Sequence, residues 1–273
     1  DLEQWSRDFH LFYGDVLDKG SLSDACEGID AVIHLASPNE IISKNSPEVA
    51  IEVNALGTRN LLEVAIQKKV KKFLYLSTFH VYGKGEGEID ELTPCTPKAD
   101  YATTHIFGEL YCQQYSSKIE TSIIRLTNGY GAPAVESIDR WSLIMNDLCK
   151  NAVLNKEILL RSHGHQKRDF VWIGDLCKAI HLLLGKENIS GETYNVGKGE
   201  SISMRFLALK IKAVYERMFH MPIDIVFNNP DDEHAIDESK DLHVSVSKIE
   251  ALGWVAHDHL DSEIEKIFDL LKR

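Results

Sequence analysis

Short apolar runs alternate with amphipathic stretches along the first half of this chain, and that alternation restricts the fold more than any other feature. Residues 31–36, 73–77 and 121–126 are apolar, bounded and too short for stable helices. Between them, residues 21–27, 50–67 and 101–115 carry apolar side chains at helical spacing, as in Val53, Leu56, Leu61, Leu62 and Val64. A further short run at 10–13 predicts a strand leading into Gly14-Asp15. Ser21, with Asp24 three positions on, reads as a helix cap. This order predicts an α/β fold with a parallel sheet covered on both faces. The second half is less regular. It predicts helices over 141–150, 175–184 and 204–219, short strands over 158–160 and 193–196, and a polar acidic loop over 228–240.

The bulk numbers narrow the function classes. A chain of 273 residues with 44% hydrophobic and 26% charged residues can bury a sizeable core. A formal charge of -12 disfavours nucleic acid and anionic membrane as main partners. No apolar run approaches the roughly 18 residues of a membrane span, and residues 1–9 lack the basic-then-apolar pattern of a secretory leader. Cys26, Cys95, Cys112, Cys149 and Cys177 are odd in number and form no C-x-x-C pair, so free thiols in a reducing cytoplasm are expected rather than disulfides. The histidines at 163, 165, 234, 257 and 259 show no third ligand for a metal, and none is expected.

In parallel sheets ligands bind beyond the carboxyl ends of the strands. Here those positions are Gly14-Asp15, Ala36-Ser37, Ser77-Thr78 and Thr127-Asn128. With their surroundings they resemble the extended short-chain dehydrogenase/reductases, closest to the nucleotide-sugar epimerases and their reductase and dehydratase relatives. The matching stretches are Gly14-Asp15-Val16, Asp30-Ala31-Val32-Ile33-His34-Leu35-Ala36, Asn54-Ala55-Leu56-Gly57-Thr58-Arg59-Asn60, Leu76-Ser77-Thr78-Phe79-His80-Val81-Tyr82-Gly83, Arg168-Asp169-Phe170-Val171, Tyr194-Asn195-Val196-Gly197 and Leu252-Gly253-Trp254. They run in family order over nearly the whole chain.

The resemblance implies a Rossmann-like doubly wound parallel sheet over residues 1–130. Residues 131–273 would add late sheet elements and a smaller C-terminal substrate lobe. It implies NAD as cofactor, with NADP also open. Asp15 and Val16 would hold the adenine end, Leu35, Ala36 and Ser37 the phosphate and ribose path, and Asn54 and Ser77 the strand ends beside it. The family opens with a strand, a G-x-x-G-x-x-G loop and a helix whose N-terminus cradles the pyrophosphate. These 273 residues contain no such loop. The first β-α-β unit is missing, so the sequence reads as N-terminally incomplete, or as a relative that has lost cofactor binding.

The family's catalytic Y-x-x-x-K reads Tyr101-Ala102-Thr103-Thr104-His105 here. In the family the lysine holds the nicotinamide ribose and lowers the tyrosine pKa. Three readings of His105 stand: protonated by a nearby acid and replacing lysine, a neutral partner of Tyr101, or a mark of slowed catalysis. Thr78 matches the family's catalytic hydroxyl and Tyr101 its acid/base. Phe79-His80 replaces the Asp-Glu that dehydratases carry after the threonine, which disfavours water elimination. Asn128 and Arg168 match substrate-phosphate contacts, with a salt bridge to an acid such as Asp169 as the other reading of Arg168. Residues 229–233, Asn-Pro-Asp-Asp-Glu, replace a family stretch that supplies a second arginine. The expectation is a dimeric enzyme, an epimerase or reductase acting on a sugar or nucleotide sugar. The rival is a non-catalytic dinucleotide-binding or regulatory relative.

Overall fold

The computed structural model describes residues 9–138, 140–228 and 241–272. Four strands form the central sheet: β1 (Ala31–His34), β2 (Lys72–Thr78), β4 (Glu120–Leu126) and β8 (Glu192–Val196). They lie in the order β1-β2-β4-β8, every neighbour parallel, with His34 opposite Tyr75 and Thr78 opposite Leu126. Alternation along the strands sorts the faces. Phe73, Tyr75 and Ile123 pack on one side with Leu61, Leu62, Ala65 and Cys112. Leu74 and Ile124 pack on the other with Leu176, Ala179, Leu183, Tyr194 and Trp254. The expected α/β class and parallel sheet are therefore present.

The first face is covered by α1 (Lys19–Ala25), α4 (Thr58–Gln67) and α5 (Asp100–Tyr115). The stretch expected as one helix over 50–67 is composite. After α2 (Glu40–Asn45), α3 (Pro47–Ile51) runs through a π-helical turn, Glu52–Gly57, into α4. That turn buries Asn54 and brings Gly57 against Val16, where an added Cβ would stand 2.5 Å from a Val16 methyl. Only glycine permits so close an approach.

Two local expectations fail. Residues 10–13 form no strand, and Leu11, Phe12 and Tyr13 are exposed; among the described residues β1 is the end strand of the sheet. The cap of α1 is Asp18, whose carboxylate accepts from the Gly20 amide at 2.9 Å. Ser21 instead accepts from the Asp15 amide at 3.1 Å and so fixes the Gly14-Asp15 turn.

The later half returns β8 to the sheet and adds α7 (Ile173–Gly185) and α9 (Ser247–Glu250) beside its second face. A separate core joins α6 (Ile144–Leu154), α8 (Met204–Phe219) and α10 (Leu260–Leu271) with β6 (Glu157–Leu160) and β10 (Asp224–Phe227). Three short strands, β5 (Asn128–Tyr130), β7 (Lys167–Trp172) and β9 (Ser201–Ser203), link this lobe to the carboxyl edge of the sheet. β3 (Gly87–Ile89) pairs with β11 (Leu242–Val244). The acidic stretch at 229–240, with His234, lies outside the described residues. No helix among the described residues is long and apolar enough to cross a membrane.

Candidate active site

The carboxyl ends of β1, β2 and β4 deliver Ser37, Thr78 and Asn128 to one edge. The first turn of α5 brings Tyr101 to the same place. Thr78 and Tyr101 line the same cavity, and Thr78 accepts from the His80 amide at 3.3 Å as the chain turns into the short 3₁₀ helix Phe79–Tyr82. Burial pushes the Tyr101 phenol above its usual value. The Thr78 hydroxyl opposes that shift, Glu40 adds to it, and Arg140 opposes it.

Thr78, Tyr101, Asn128 and Arg168 line one cavity of about 610 Å³. Asn128 is held by donating to the Asp169 carbonyl at 2.8 Å. The carboxylate of Asp169 accepts from Thr127, Lys198 and Gly199 at 2.9, 2.7 and 2.8 Å. That leaves it no role as an ion-pair partner, and Arg168 is exposed to the cavity with no ion pair to any described residue. Its charge is close enough to help depress the His80 pKa, after burial as the main cause.

The sequence reading missed Arg140 and Glu40, which line the same cavity and act electrostatically on Tyr101. Arg140 supplies a second guanidinium from an irregular stretch before α6. No motif marks it, so only the three-dimensional arrangement could reveal it.

His105 is 2% exposed, and both ring nitrogens are engaged. Nε2 lies 3.2 Å from the Ser37 hydroxyl, and Nδ1 lies 2.9 Å from the Tyr75 hydroxyl. Ser37 donates its own proton to the Pro38 carbonyl at 3.0 Å. Nε2 is therefore the protonated nitrogen, and Nδ1 accepts from Tyr75. The pKa of His105 is pushed down to about 4, first by burial and then by His34 and His80. No acid holds it charged, so the reading of a protonated substitute for lysine is corrected. The Tyr101 ring meets it edge-on, with centroids 4.7 Å apart. Behind it, buried His34 lies 2.9 Å from Thr58, which donates to the Asn54 carbonyl at 2.7 Å. His34 is also pushed down to about 4 by burial.

The residues expected to meet a dinucleotide fall into two groups. Val16, Leu35, Ala36 and Ser37 lie along the β1 edge, with Leu35 57% exposed. The Asp15 carboxylate is open, accepting only the Leu17 amide at 2.9 Å. Ser77 and Asn54 turn inward instead. Ser77 donates to Glu109 at 2.5 Å, beside the buried Glu109–Arg125 ion pair. Asn54 donates to Thr104 at 2.9 Å, so it ties the π turn to α5 rather than steadying strand ends. Its Oδ1 is buried with no partner among the described residues. An open carboxylate, an apolar shelf and a hydroxyl in sequence fit an adenosine, a ribose and their linkage. Among the described residues no cluster of three metal-ligating side chains occurs.

A parallel sheet with Thr78 and Tyr101 at a cavity on its carboxyl edge is a Rossmann-like arrangement. Residues 2–197 match the family described as NAD dependent epimerase/dehydratase, and the chain belongs to that family. It is 31% identical over 201 residues to an uncharacterized UDP-glucose epimerase, YtcB, of Bacillus subtilis (strain 168), covering 71% of this chain and 60% of that protein. It is 29% identical over 225 residues to a dTDP-glucose 4,6-dehydratase of Streptomyces niveus, covering 79% and 65%. The chain thus spans under two thirds of the length of these two relatives. Among solved structures, UDP-glucuronic acid 4-epimerase from Bacillus cereus in complex with NAD superposes with a TM-score of 0.81 at 26% identity, covering 100% of this chain and 81% of that one.

Proposed function

We propose that this protein is an NAD(P)-dependent epimerase or reductase acting at a ring carbon of a nucleotide sugar, with Tyr101 as acid/base. The observation that carries the reading is that Thr78 and Tyr101 meet at the wall of one cavity that also presents Arg140, Arg168 and Asn128. When bound, the nicotinamide cofactor supplies the hydride acceptor and donor. Asp15, Val16, Leu35, Ala36 and Ser37 would hold that cofactor.

The chain's own groups divide the remaining work. The Thr78 hydroxyl orients the sugar oxygen, and the Tyr101 phenol takes or returns its proton. The planar guanidinium groups of Arg140 and Arg168 suit paired hydrogen bonds to the oxygens of a diphosphate. His105 is a positioning residue: neutral, bridged between Ser37 and Tyr75, it fixes the face of α5 that carries Tyr101. Phe79-His80 after Thr78 offers no acid pair for water elimination, which disfavours the dehydratase step named for some relatives.

The rival, a non-catalytic dinucleotide-binding protein, draws on one observation: Tyr101 has a raised pKa and no lysine beside it. Incubating the full-length protein with NAD or NADP and a panel of UDP- and dTDP-sugars separates the two. Turnover that vanishes in Tyr101→Phe supports the enzyme. Cofactor binding without turnover of any sugar supports the rival. We further assign residues 1–130 to cofactor binding and residues 131–273 to substrate binding. We also propose a homodimer through exposed Leu56, Phe107 and Leu110 on the helices beside the site, and a cytoplasmic location in keeping with five free thiols.

A further inference from the structure

Tyr75 stands at the centre of β2, buried, yet it carries a hydroxyl that must find a partner. Its ring runs beneath α5 at Gly108, where an added Cβ would stand 2.4 Å from the hydroxyl oxygen. Only glycine leaves room for that passage. Gly108 follows His105 by three positions, so the two share a face of α5. The hydroxyl arrives 2.9 Å from His105 Nδ1. Thr58 also acts on the Tyr75 phenol, but its hydroxyl is already engaged. It donates to the Asn54 carbonyl at 2.7 Å and meets His34 Nε2 at 2.9 Å. Burial pushes the phenol well above its ordinary value, so Tyr75 stays protonated.

These contacts decide the state of His105 from the core side. If Nδ1 carried the imidazole proton it would donate to Tyr75, and the phenolic proton would lose its acceptor in a buried site, a costly arrangement. With the proton on Nε2, Tyr75 donates to Nδ1 and both groups are satisfied. The Nε2–H then points at the Ser37 oxygen, 3.2 Å away. Ser37 gives its own proton to the Pro38 carbonyl at 3.0 Å. It is exposed beyond the end of β1, so its oxygen takes one N–H from within and keeps a lone pair for a donor from outside.

We infer that Tyr75 is a positioning residue: it holds His105 as the Nε2–H tautomer, and through that N–H it fixes Ser37 as a hydrogen-bond acceptor for a ribose hydroxyl of the bound dinucleotide. This rests on the cofactor reading of the β1 edge and adds a residue that acts on that edge from the core. A hydroxyl group brings a proton and suits Ser37 so held. A phosphate oxygen brings none, and Ser37 has none left to offer it. Ser37 therefore meets the ribose rather than the pyrophosphate.

The test reads histidine tautomers by NMR in the full-length protein without cofactor, isotope-labelled at the histidine nitrogens, with the His105 signals assigned by their loss in His105→Gln. The unsubstituted protein should show His105 in the Nε2–H form alone. Ser37→Ala should leave that form in place, since Tyr75 sets it, whereas Tyr75→Phe should add the Nδ1–H form. The second readout is the Kd for NAD by titration calorimetry. Ser37→Ala should raise it about two- to tenfold, the size expected for one neutral hydrogen bond. Tyr75→Phe should raise it too, and the double variant should bind no more weakly than Ser37→Ala, because Tyr75 acts through Ser37. Ser37 is exposed, so its variant decides the matter even if Tyr75→Phe folds poorly. An Nδ1–H form in the unsubstituted protein, a tautomer that changes in Ser37→Ala or stays single in Tyr75→Phe, or additive losses in the double variant overturn the inference and leave the cofactor reading intact. An unsubstituted protein that binds no NAD removes the cofactor reading, and the role of Ser37 with it, whatever the tautomer.

Discussion

Replacing His105 by lysine measures how much charge at that position matters to Tyr101. The two rings lie 4.7 Å apart between centroids, and His105 is neutral at physiological pH because its pKa sits at about 4. An ammonium about 5 Å from a phenolate, at an effective dielectric of about 20, favours the phenolate by about 3 kcal/mol. That corresponds to a drop of about 2 pKa units in Tyr101. A sugar-oxidising reaction needs the deprotonated phenol, so its rate climbs with pH until Tyr101 has ionised. In the unsubstituted protein the climb should run beyond the usual tyrosine range, because burial raises this pKa. In the lysine variant it should move about 2 pH units lower. The substitution also strips the acceptor from the buried Tyr75 hydroxyl, a cost of about 1–3 kcal/mol in stability. The double variant His105→Lys, Tyr75→Phe removes that orphaned group and isolates the electrostatic effect. The assay is the pH profile of kcat/KM for NAD-linked oxidation of a UDP-sugar. A profile that stays in place, in a folded double variant that still binds NAD, would refute the reasoning.

Other consequences follow from the same buried groups. His34 and His105 have folded pKa values of about 4 against roughly 6.5 when unfolded, so both are neutral in either state above that value. Below it the unfolded chain binds protons that the folded chain refuses, and stability falls as pH drops from about 6.5 toward 4, by at most about 3 kcal/mol per histidine. Urea midpoints at pH 7 and pH 5 should show the loss, and His34→Gln should lessen it; parallel curves for both proteins would contradict it. Glu109→Ala leaves Arg125 charged and buried, and should cost about 3–5 kcal/mol in denaturant unfolding. A cost below about 1 kcal/mol would show that water reaches Arg125. Arg168→Ala should raise KM for a nucleotide sugar about tenfold or more, with kcat little changed, as expected for a charged hydrogen bond to phosphate. An unchanged KM would remove Arg168 from the substrate site.

Much of the framework was legible because period and order carry it. The apolar runs at 73–77 and 121–126 alternate between two covered faces, and the helix expected at 204–219 is α8 with the same bounds. What was not legible depends on neighbours far along the chain. The run at 10–13 looks like a strand, but among the described residues β1 is the end strand of the sheet. The π turn at Glu52–Gly57 answers to Val16, which must pass close to Gly57. The site divides in the same way. Thr78, Tyr101, Asn128 and Arg168 were named from motifs, and the fold gathers them in one cavity. Arg140 sits in no motif, and whether Ser77 faces a ligand or Glu109 is a matter of side-chain direction that spacing does not reveal. The charge state of His105 depends on burial and on His34, 71 positions earlier in sequence yet part of the same buried cluster.

The central claim is hydride chemistry at a sugar carbon governed by Tyr101. It is tested most directly by giving the full-length protein a UDP-sugar deuterated at C4, with NAD, and following the label by mass spectrometry and NMR. The account predicts deuterium on the cofactor, or a C4 centre inverted with its label retained, and a rate about 10²–10⁴-fold lower in Tyr101→Phe. Label that stays on an uninverted C4, with none on the cofactor, in a protein with NAD bound, or an equal rate in Tyr101→Phe, would contradict it.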